Sequence, residues 1–414
     1  MASKSKKQKA KTDNPAALIM VALAVGVLAL LQNKFGQFSD IRGFYGMHFY
    51  DGQHLWPFSE KTLLGDTKVQ HPVEYPALTG LIMWLLSFLV SPSETAIFDY
   101  YRITAGIQIV IFAICAYLIY KLTGKKYAYY FVLAPAVLYS LNRNWDIWAI
   151  AAMLFAILLF ERKKYLLSAF LLSVAIATKF FPIVLMLPIM IILLRNRQIA
   201  TFIKYGLTVL ISWMLINLPF VVVDLEGWAY FYKFSAERAL GSASFYEIVN
   251  IFIPGIKFSS FHFYILNVLV FLLVTAFLIK LKTVPTLAES SFFVMFAFIL
   301  FNKQYSMQYV IWLTSLAVIT LAYLSKRKRE SLIYIFVTWQ AFELAFQYSF
   351  FQRILTNTYA NTDTPMTISV STNAYASVGA IRYLLAVLFT ILLARYLYKA
   401  NLSIAGQSDL AKIK

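Results

Sequence analysis

Cysteine and histidine are scarce in this chain of 414 residues, and their scarcity excludes several kinds of site. The one cysteine, Cys115, can form neither an intramolecular disulfide nor a thiolate metal cluster. Four histidines leave little room for a metal centre. One helix could present His48, Asp51 and His54 to a metal, but without a further strong ligand their spacing favours ordinary interfacial loop residues. We therefore expect no metal.

Charged residues are also few, at 14% of the chain, whereas 60% of the residues are hydrophobic. A soluble domain carries about 25% charged and about 45–50% apolar residues, so the apolar excess here must face lipid. The net charge is nevertheless +18. In a soluble protein this charge would indicate a nucleic-acid partner, but in a membrane protein it marks the cytoplasmic loops. The composition predicts an all-α polytopic membrane protein with no nucleic-acid partner.

Apolar runs recur at the length that a membrane helix needs, which is about 20 residues for a hydrocarbon layer of about 30 Å. The first run extends from about Pro15 to Leu31 after a Lys-rich tail. No small-residue cleavage signal follows it, so we interpret it as a retained signal anchor. The sequence predicts one transmembrane domain over 15–398, between cytoplasmic tails at 1–14 and 399–414. The twelve predicted spans are 15–32, 103–121, 127–142, 147–160, 165–178, 181–194, 199–219, 263–281, 287–302, 308–324, 332–350 and 379–398.

The distribution of charge predicts which way these spans run. The stretch Ala77–Val90 is apolar but too short to be a confident span, and its status decides the side of every later loop. If it does not span, one face holds 24 Lys and Arg against five Asp and Glu, and the rest of the chain is nearly neutral. If it spans, every later basic cluster lies opposite the basic N-terminal tail, against the positive-inside rule. We therefore expect Ala77–Val90 to lie in the outer interface and both termini to be cytoplasmic.

The outer face is expected to carry the function, because the three long loops, 33–102, 220–262 and 351–378, all fall there. Short spans also meet on that side at polar apices. The apices are 142–146, 178–180 and 302–308. Polar tips at membrane depth are tolerated where they line protein or a water-filled cavity, so we predict a polar cavity in the outer leaflet. The alternative is one irregular hairpin over 165–194, with Lys179 extending its amine to the interface.

The first outer loop carries the acids best placed for chemistry. Asp40 follows the first span within a few residues, and Glu74 stands in the motif His71-Pro72-Val73-Glu74-Tyr75-Pro76. A carboxylate at the lip of a cavity can act as a general base toward a sugar hydroxyl. For an arbitrary acid of this loop, the alternative is a solvated charge with no chemical role.

Three cations are candidates for binding an anion in the same cavity. Arg238 lies in the second outer loop, and a guanidinium can hold a phosphate through two parallel hydrogen bonds. Lys179 and Lys303 stand in two of the polar apices, although each could be structural. The aromatic run over 228–234 is more typical of an interfacial belt than of a ligand site. Glu343, inside a predicted span, either pairs with a cation or faces water near the outer end.

Several short motifs follow one another in an order that is similar to one group of membrane enzymes. They are Asp40 after the first span, Glu74-Tyr75-Pro76 before a short apolar helix, Asn144-Trp145-Asp146, Ala177-Thr178-Lys179-Phe180-Phe181-Pro182, the run from Asn302 to Trp312 and, more weakly, Arg238 followed by Ser244. With these motifs the chain resembles the GT-C membrane glycosyltransferases, and among them glycosyltransferase family 87, the polyprenol-phosphate-mannose-dependent α-mannosyltransferases. Ala77 and Met307 stand where that family has, or often has, proline. These departures bear on the subfamily and the sugar rather than on the fold.

The resemblance implies a GT-C fold of about twelve transmembrane helices, with juxtamembrane helices in long extracytoplasmic loops. It implies transfer of a sugar, by family default mannose, from a polyprenyl-phosphate donor to a hydroxyl of a cell-envelope glycolipid or glycan, with inversion in one displacement. Asp40 is then the general base, and Arg238, Lys303 and Lys179 hold the donor phosphate. The implied substrate-binding residues are Arg42, Asp51, His71, Glu74, Tyr75, Asn144, Asp146, Ser306 and Gln308. Cations already stabilise such a leaving group, so no cofactor is expected and a divalent cation is not required.

Two other functions share several of these features. A transporter or flippase for lipid-linked sugars would also need a lipid-accessible cavity with polar tips, but it predicts acids inside the spans and short loops on both faces. The acids here cluster in long outer loops, which favours an enzyme. A non-catalytic subunit of a glycosylation complex is a third interpretation.

Overall fold

A computed structural model of the protein describes residues 14–33, 39–48, 54, 56–59, 61–62, 69–324, 326–358 and 370–413. Within these ranges the chain is almost entirely helical. The helices are α1 (Ala16–Gln32), α2 (Asp40–His48), α3 (Ala77–Ser87), α4 (Ala96–Thr123), α5 (Lys125–Val132), α6 (Pro135–Ser140), α7 (Asp146–Glu161), α8 (Tyr165–Thr178), α9 (Met186–Arg195), α10 (Ile199–Val223), α11 (Leu225–Glu237), α12 (Phe245–Phe252), α13 (Ser260–Lys280), α14 (Leu287–Leu300), α15 (Tyr309–Ala322), α16 (Lys326–Thr358) and α17 (Thr372–Ile413), with a 3₁₀ segment at Phe181–Leu185.

The all-α prediction needs one small correction in the first outer loop. Two strands, β1 (Lys61–Thr62) and β2 (Val69–Gln70), pair antiparallel there, with Lys61 opposite Gln70. Strands of two residues add little to a helical protein, so the fold class is unchanged. In the segment 220–262, where the resemblance implied juxtamembrane helices, α11 and α12 occupy much of the chain.

Most predicted spans coincide with helices, and the clearest differences arise at prolines. The predicted span 127–142 is broken into α5 and α6 before Pro135. Proline has no N–H to donate and restricts the residue before it, and Ala134 is accordingly extended, with φ −65° and ψ 119°. Near Pro182 the predicted span 181–194 begins as the 3₁₀ segment and becomes α-helical at Met186. The helices α16 and α17 extend well beyond the predicted spans 332–350 and 379–398.

Two of the long helices show that this is an integral membrane protein. The helices α4, α10, α13 and α17 are each long and apolar enough to cross a membrane. The most apolar part of α10 is only 17% buried inside the protein, and that of α13 only 6%. Leu215 on α10 and Leu273 on α13 are both more than 60% exposed. Apolar surface on this scale is stable only against lipid.

The short helix α3 lies across the end of α8 rather than continuing the bundle. Its 11 residues extend about 16 Å, well short of a hydrocarbon layer of about 30 Å. The hydroxyl of Thr79 donates to the carbonyl of Thr178, the last residue of α8, and Tyr100 of α4 donates to the carbonyl of Met83. These contacts hold α3 against α8 and α4, and the interfacial placement of Ala77–Val90 stays a prediction.

The helices α7, α14 and α15 form the centre of the bundle. Every residue of α15 from Tyr309 to Leu321 is buried, which is typical of a helix surrounded by other helices. The first residue of α7, Asp146, ends the predicted polar apex at 142–146, and the first residue of α15, Tyr309, directly follows the predicted apex at 302–308. The core therefore brings these two helix N-termini, with their partial positive charge, to one end of the molecule.

Candidate active site

A cavity of about 670 Å³ lies at this end of the molecule. It is lined from two of the three predicted apices, from α2, and from the segments around α11 and the start of α13. The lining residues are Asp40, Gly43, Phe44, Glu74, Tyr75, Lys179, Phe180, Phe181, Phe231, Tyr232, Phe234, Ser235, Ala236, Arg238, Phe263, Tyr264, Phe298, Asn302, Lys303, Gln304, Ser306, Gln308 and Tyr309. Its volume is ordinary for a small-molecule site, and its lining combines aromatic rings with acids and cations.

Asp40 stands at the first position of α2 and lines the cavity. Its backbone N–H donates to the carbonyl of Arg143 at 2.9 Å, and the hydroxyl of Tyr75 donates to its Oδ2 at 3.2 Å. Solvent reaches the carboxylate inside the cavity, but protein surrounds it on the other sides. This desolvation raises the pKa of Asp40 from 3.8 to about 6, although the positive charge of Lys179 acts in the opposite direction. A carboxylate with such a pKa is ionised at neutral pH and is basic enough to accept a proton.

A buried ion pair between Asp146 and Lys179 supports the cavity floor. The Lys179 amine lies 2.9 Å from Oδ1 of Asp146 and 4.5 Å from the centre of the Tyr75 ring. The indole of Trp312 donates to Oδ2 of Asp146 at 2.9 Å, and the amide of Asn144 donates to Oδ1 at 3.1 Å. Burial is the largest single influence and lowers the pKa of Lys179, but the charge and hydrogen bond of Asp146, together with Tyr309 and the charge of Asp40, outweigh burial and raise the pKa. Lys179 therefore stays protonated beneath Tyr75.

The Lys179→Met variant should lower the free energy of unfolding by about 3–5 kcal/mol, because it leaves the 1% exposed Asp146 side chain without its counter-charge. The double variant Asp146→Asn, Lys179→Met should recover much of this loss. Thermal unfolding of the purified protein in detergent measures both effects.

The control for this measurement is Arg102→Ala. Arg102 pairs with Asp99 at 3.0 Å on the surface, where both side chains are substantially exposed. Such a pair contributes about 0–1 kcal/mol, so its loss should hardly move the transition. An equal loss in Lys179→Met and Arg102→Ala would contradict the structural role of the buried pair.

Two other cations line the cavity without a carboxylate within 4 Å among the described residues, and these are Arg238 and Lys303. Arg238 follows the end of α11, is exposed, and lies 5.2 Å from the ring centre of Phe234. Lys303 is 6% exposed, and its amine donates to the carbonyl of Ala236 at 2.6 Å. Burial lowers the pKa of Lys303. Both positive charges are thus available to an anion that enters the cavity.

The segments that carry these cations are joined to each other. The N–H of Gly241 donates to the carbonyl of Lys303 at 2.9 Å, and the N–H of Tyr305 donates to the carbonyl of Ser242 at 3.3 Å. A side chain at Gly241 would begin only 2.6 Å from the amide nitrogen of Gln304. Glycine at this position therefore allows the 241–244 segment to lie directly against the 302–308 segment.

Four predicted substrate-binding residues line the cavity, and they are Glu74, Tyr75, Ser306 and Gln308. Desolvation raises the pKa of Glu74, while the charge of Arg238 opposes that rise. Glu74 is thus close enough to Arg238 for the two charges to interact. The cavity lining thus combines two carboxylates, Asp40 and Glu74, with the cations Lys179, Arg238 and Lys303.

Asn144 and Asp146 are placed differently from the prediction. Both are buried behind the cavity wall, and neither lines the cavity. Asn144 accepts a hydrogen bond from the N–H of Asp146 at 3.0 Å and so begins α7 with a local side-chain turn. Direct contact of these residues with a substrate does not fit this geometry, because both Asp146 oxygens are occupied by protein donors. They support the site through Lys179.

Arg42 and His71 also lie off the cavity lining. The guanidinium of Arg42 packs on the ring of Phe98 at 4.3 Å, toward α4. The imidazole of His71 stacks on Tyr230, with 6.0 Å between the ring centres. Sequence spacing could predict neither ring contact, because each joins residues that are far apart along the chain. The remaining predicted residue, Asp51, lies outside the described residues, as does part of the His48, Asp51 and His54 triplet.

Sequence reasoning missed several lining residues, most of them aromatic. The rings of Phe231, Tyr232 and Phe234, interpreted as part of an interfacial belt, line the cavity. Tyr309 also lines it, within electrostatic reach of Lys179 and Arg238. The signal for Tyr309 was its place beside the 302–308 apex. An isolated sequence holds no signal that separates cavity aromatics from interfacial ones.

Comparisons with known proteins add little to this description. No model of a known protein family matches the chain, and no curated protein sequence matches it. Among solved structures, the chain is similar to ArnT from Cupriavidus metallidurans, crystallised with undecaprenyl phosphate. That likeness has a TM-score of 0.47 at 12% sequence identity, over 92% of this chain and 78% of ArnT.

Proposed function

We propose that the protein is an integral-membrane glycosyltransferase of the GT-C fold. In this proposal it moves a sugar, with mannose as the first candidate, from a polyprenyl phosphate to a hydroxyl of a glycolipid or glycan on the extracytoplasmic side. The observation that carries the proposal is the arrangement of charge in one cavity. Asp40 has a pKa of about 6 and is ready to accept a proton, while Arg238 and Lys303 lack carboxylate partners among the described residues and are ready to bind an anion.

The proposed reaction is one displacement at the anomeric carbon. The acceptor hydroxyl gives its proton to Asp40 as its oxygen forms a bond to that carbon from the face opposite the phosphate. The bond between the anomeric carbon and the phosphate oxygen breaks at the same time, and its electron pair leaves with the polyprenyl phosphate. Arg238 and Lys303 stabilise the negative charge that develops on this leaving group. Attack from the opposite face inverts the anomeric configuration.

The neighbours of Asp40 fit the part proposed for it. Tyr75 donates a hydrogen bond to Oδ2 and so limits the directions that the carboxylate can face. Lys179 is already paired with Asp146, so in this proposal it tunes Asp40 through its charge and leaves direct contact with the phosphate to Arg238 and Lys303. Glu74 is the candidate for orienting a sugar hydroxyl. It lines the cavity, and its charge interacts with both Asp40 and Arg238.

The deciding experiment uses the purified protein in liposomes with a polyprenyl-phosphate-linked sugar, labelled in the sugar, and an extracted mixture of cell-envelope lipids. A glycosyltransferase releases polyprenyl phosphate in step with the appearance of label in a new lipid. A flippase moves the labelled donor between leaflets and releases no polyprenyl phosphate. A non-catalytic subunit does neither, which would contradict the proposal.

The pH dependence of transfer should report the state of Asp40. A general base acts in its ionised form, so kcat/KM should rise with pH, pass half its maximum near the Asp40 pKa of about 6, and stay level above it. Initial rates measured from about pH 4.5 to about pH 8 give this profile. With an unshifted carboxylate, the rise would centre near pH 3.8 instead.

Tyr75→Phe provides the internal check on this assignment. The hydroxyl of Tyr75 lowers the pKa of Asp40 by donating a hydrogen bond to the carboxylate. Loss of this hydroxyl should therefore move the midpoint of the pH profile to higher pH. A midpoint that does not move in Tyr75→Phe would mean that another group controls the profile.

A further inference from the structure

A buried ion pair between Glu343 of α16 and Arg382 of α17 stands apart from the cavity. Nη1 of Arg382 lies 3.3 Å from Oε1 of Glu343, and both side chains are at most 2% exposed. Charged groups are costly inside membrane segments and are retained where they serve a specific arrangement. The sequence singled out Glu343 as a possible partner of a cation, and the pairing raises the question of what this arrangement serves.

The ion pair bonds to the 302–308 segment, which carries Lys303, and to the 241–244 segment, which begins three residues after Arg238. Nη2 of Arg382 donates to the carbonyl of Ala243 at 3.0 Å. The hydroxyl of Tyr305 lies 3.2 Å and 3.1 Å from the two carboxylate oxygens of Glu343, and the guanidinium of Arg382 lies 3.7 Å from the centre of the Tyr305 ring. Ala243 belongs to the 241–244 segment and Tyr305 to the 302–308 segment, so one ion pair contacts both.

The contact at Ala243 restrains a backbone that would not hold its conformation alone. Ala243 has φ of 59° and is fully buried, although this left-handed region is unfavourable for a residue with a side chain. Its N–H donates to Oε2 of Glu247 at 2.6 Å, and its carbonyl accepts from Arg382. Charged side chains therefore bond to both backbone polar groups of Ala243, its N–H and its carbonyl.

The contact between Tyr305 and Glu343 restrains the segment that carries Lys303. Tyr305 is two residues beyond Lys303 and one residue before Ser306, which lines the cavity, but its own hydroxyl points away to Glu343. The 241–244 segment bonds to the backbone of Lys303, and Arg238 begins the stretch that leads into it. Lys303 thus stands in a segment that the ion pair contacts through Tyr305, and Arg238 stands five residues before Ala243, where the ion pair holds the following segment.

The ion pair does not itself form a ligand site. The void beside Glu343, Arg382 and Tyr305 has a volume of about 10 Å³, which is at most room for one water molecule. An effect of this pair on substrate binding must therefore pass through the two segments.

From these contacts we infer that the Glu343–Arg382 pair positions Lys303 and Arg238 for the donor phosphate. The inference rests on the proposed function, because it takes the anion bound by the two cations to be the phosphate of a polyprenyl phosphate. Glu343 and Arg382 are positioning residues that touch no substrate, and their effect should appear in phosphate affinity rather than in the titration of Asp40.

The test is the double variant Glu343→Leu, Arg382→Met. Replacing a buried ion pair with apolar residues of similar size is often neutral or stabilising, but here it also removes the charged partners of the Ala243 carbonyl, the Tyr305 hydroxyl and the Trp339 indole, so the thermal midpoint should fall modestly. The Kd for undecaprenyl phosphate, measured with the protein in nanodiscs, should increase about tenfold or more, as for the loss of one charge-assisted hydrogen bond. The pH midpoint of transfer should not move, because Asp40 keeps all its contacts.

The matched control is Gln340→Leu. Gln340 lies near Glu343 on α16 and is equally buried, but its amide donates to Thr314 of α15 at 2.9 Å and contacts neither segment. It should leave the Kd unchanged. An equal rise in the Kd of Gln340→Leu and the double variant would contradict positioning by the ion pair, because it would show a general response of α16 to the loss of a buried polar group.

Tyr305→Phe keeps the test decisive if the double variant does not fold. It removes only the hydroxyl that contacts Glu343 and leaves the ion pair and the ring beneath Arg382 in place. We expect the Kd to rise severalfold, and an unchanged Kd would overturn the inference. A wild-type protein that does not bind undecaprenyl phosphate at all would instead contradict the proposed function.

Discussion

The Asp40→Asn variant is expected to transfer sugar about 10²–10⁴-fold more slowly than the wild type, the range that a positioned general base contributes. Asparagine keeps the shape of the side chain and can still accept the hydrogen bond from Tyr75, but it cannot take a proton from the acceptor hydroxyl. Release of polyprenyl phosphate from a labelled donor measures the rate. Donor binding should persist, because Arg238 and Lys303 are unchanged.

The same variant should fold at least as well as the wild type. The pKa of Asp40 is raised in the folded protein, so its ionisation disfavours the folded state. The contribution of Asp40 to stability is fully present below its pKa in the unfolded chain, 3.8, and is lost as the pH rises through its pKa in the folded protein, about 6. At pH 7.5 a neutral asparagine avoids that loss, so the thermal midpoint should not fall. A variant that is both inactive and unfolded at pH 7.5 would contradict this account of the raised pKa.

Asp99→Asn is the control for an acid of the same outer loop. Asp99 lies in the first turn of α4, pairs with Arg102 at the surface, and does not line the cavity. Its loss should leave the transfer rate near the wild-type value. Normal turnover by Asp40→Asn would show that Asp40 is not the base, whatever the effect of Asp99→Asn.

The Arg238→Ala and Lys303→Met variants should each lower kcat/KM by about 10²–10³-fold, the usual loss when one donor to a developing negative charge is removed. The reason is that no carboxylate among the described residues neutralises either cation, so each can act fully on a bound phosphate. Steady-state transfer rates at varied donor concentration separate KM from kcat. Arg238→Lys should recover only part of the loss, because an ammonium cannot hold a phosphate through two parallel bonds.

Lys233→Ala separates this effect from a general loss of positive charge. Lys233 is exposed on α11, the helix that ends just before Arg238, but it does not line the cavity. It should leave both constants unchanged. If Lys233→Ala lowered kcat/KM as much as Arg238→Ala, the cations would act through the overall field of the outer surface and not through a phosphate site.

The sequence predicts the helices well because apolar runs and prolines are local signals. The predicted span 165–178 matches α8, Tyr165–Thr178, and polar residues from the predicted apices at 178–180 and 302–308 line the cavity. Pro135 accounts for the break that the apolar pattern of 127–142 concealed. Charge asymmetry predicts the orientation of the helices in the membrane through the positive-inside rule.

Pairings between distant residues were beyond the sequence. Asp146 accepts a hydrogen bond from Trp312, which is 166 positions away along the chain. This bond helps to bury Asp146, which was predicted to bind substrate, behind the cavity wall. Arg382 gave no signal of its own, because its partners Glu343 and Ala243 lie 39 and 139 positions away. Such contacts depend on how helices pack, and apolar periodicity cannot distinguish one packing from another.

The exposed helix α13 has a consequence for how this protein meets its substrates. It packs mainly on α14 and α9, its most apolar part is 6% buried, and its first turn contributes Phe263 and Tyr264 to the cavity wall. The helix α13 thus combines residues of the cavity wall with a largely exposed apolar surface. Under the proposed function, a lipid-linked donor would keep its tail among the acyl chains while its head group occupies the cavity. The concentration that the protein meets is then the mole fraction of donor in the membrane. The transfer rate should therefore change when the donor is diluted with other lipids and should not change when the sample is diluted with buffer.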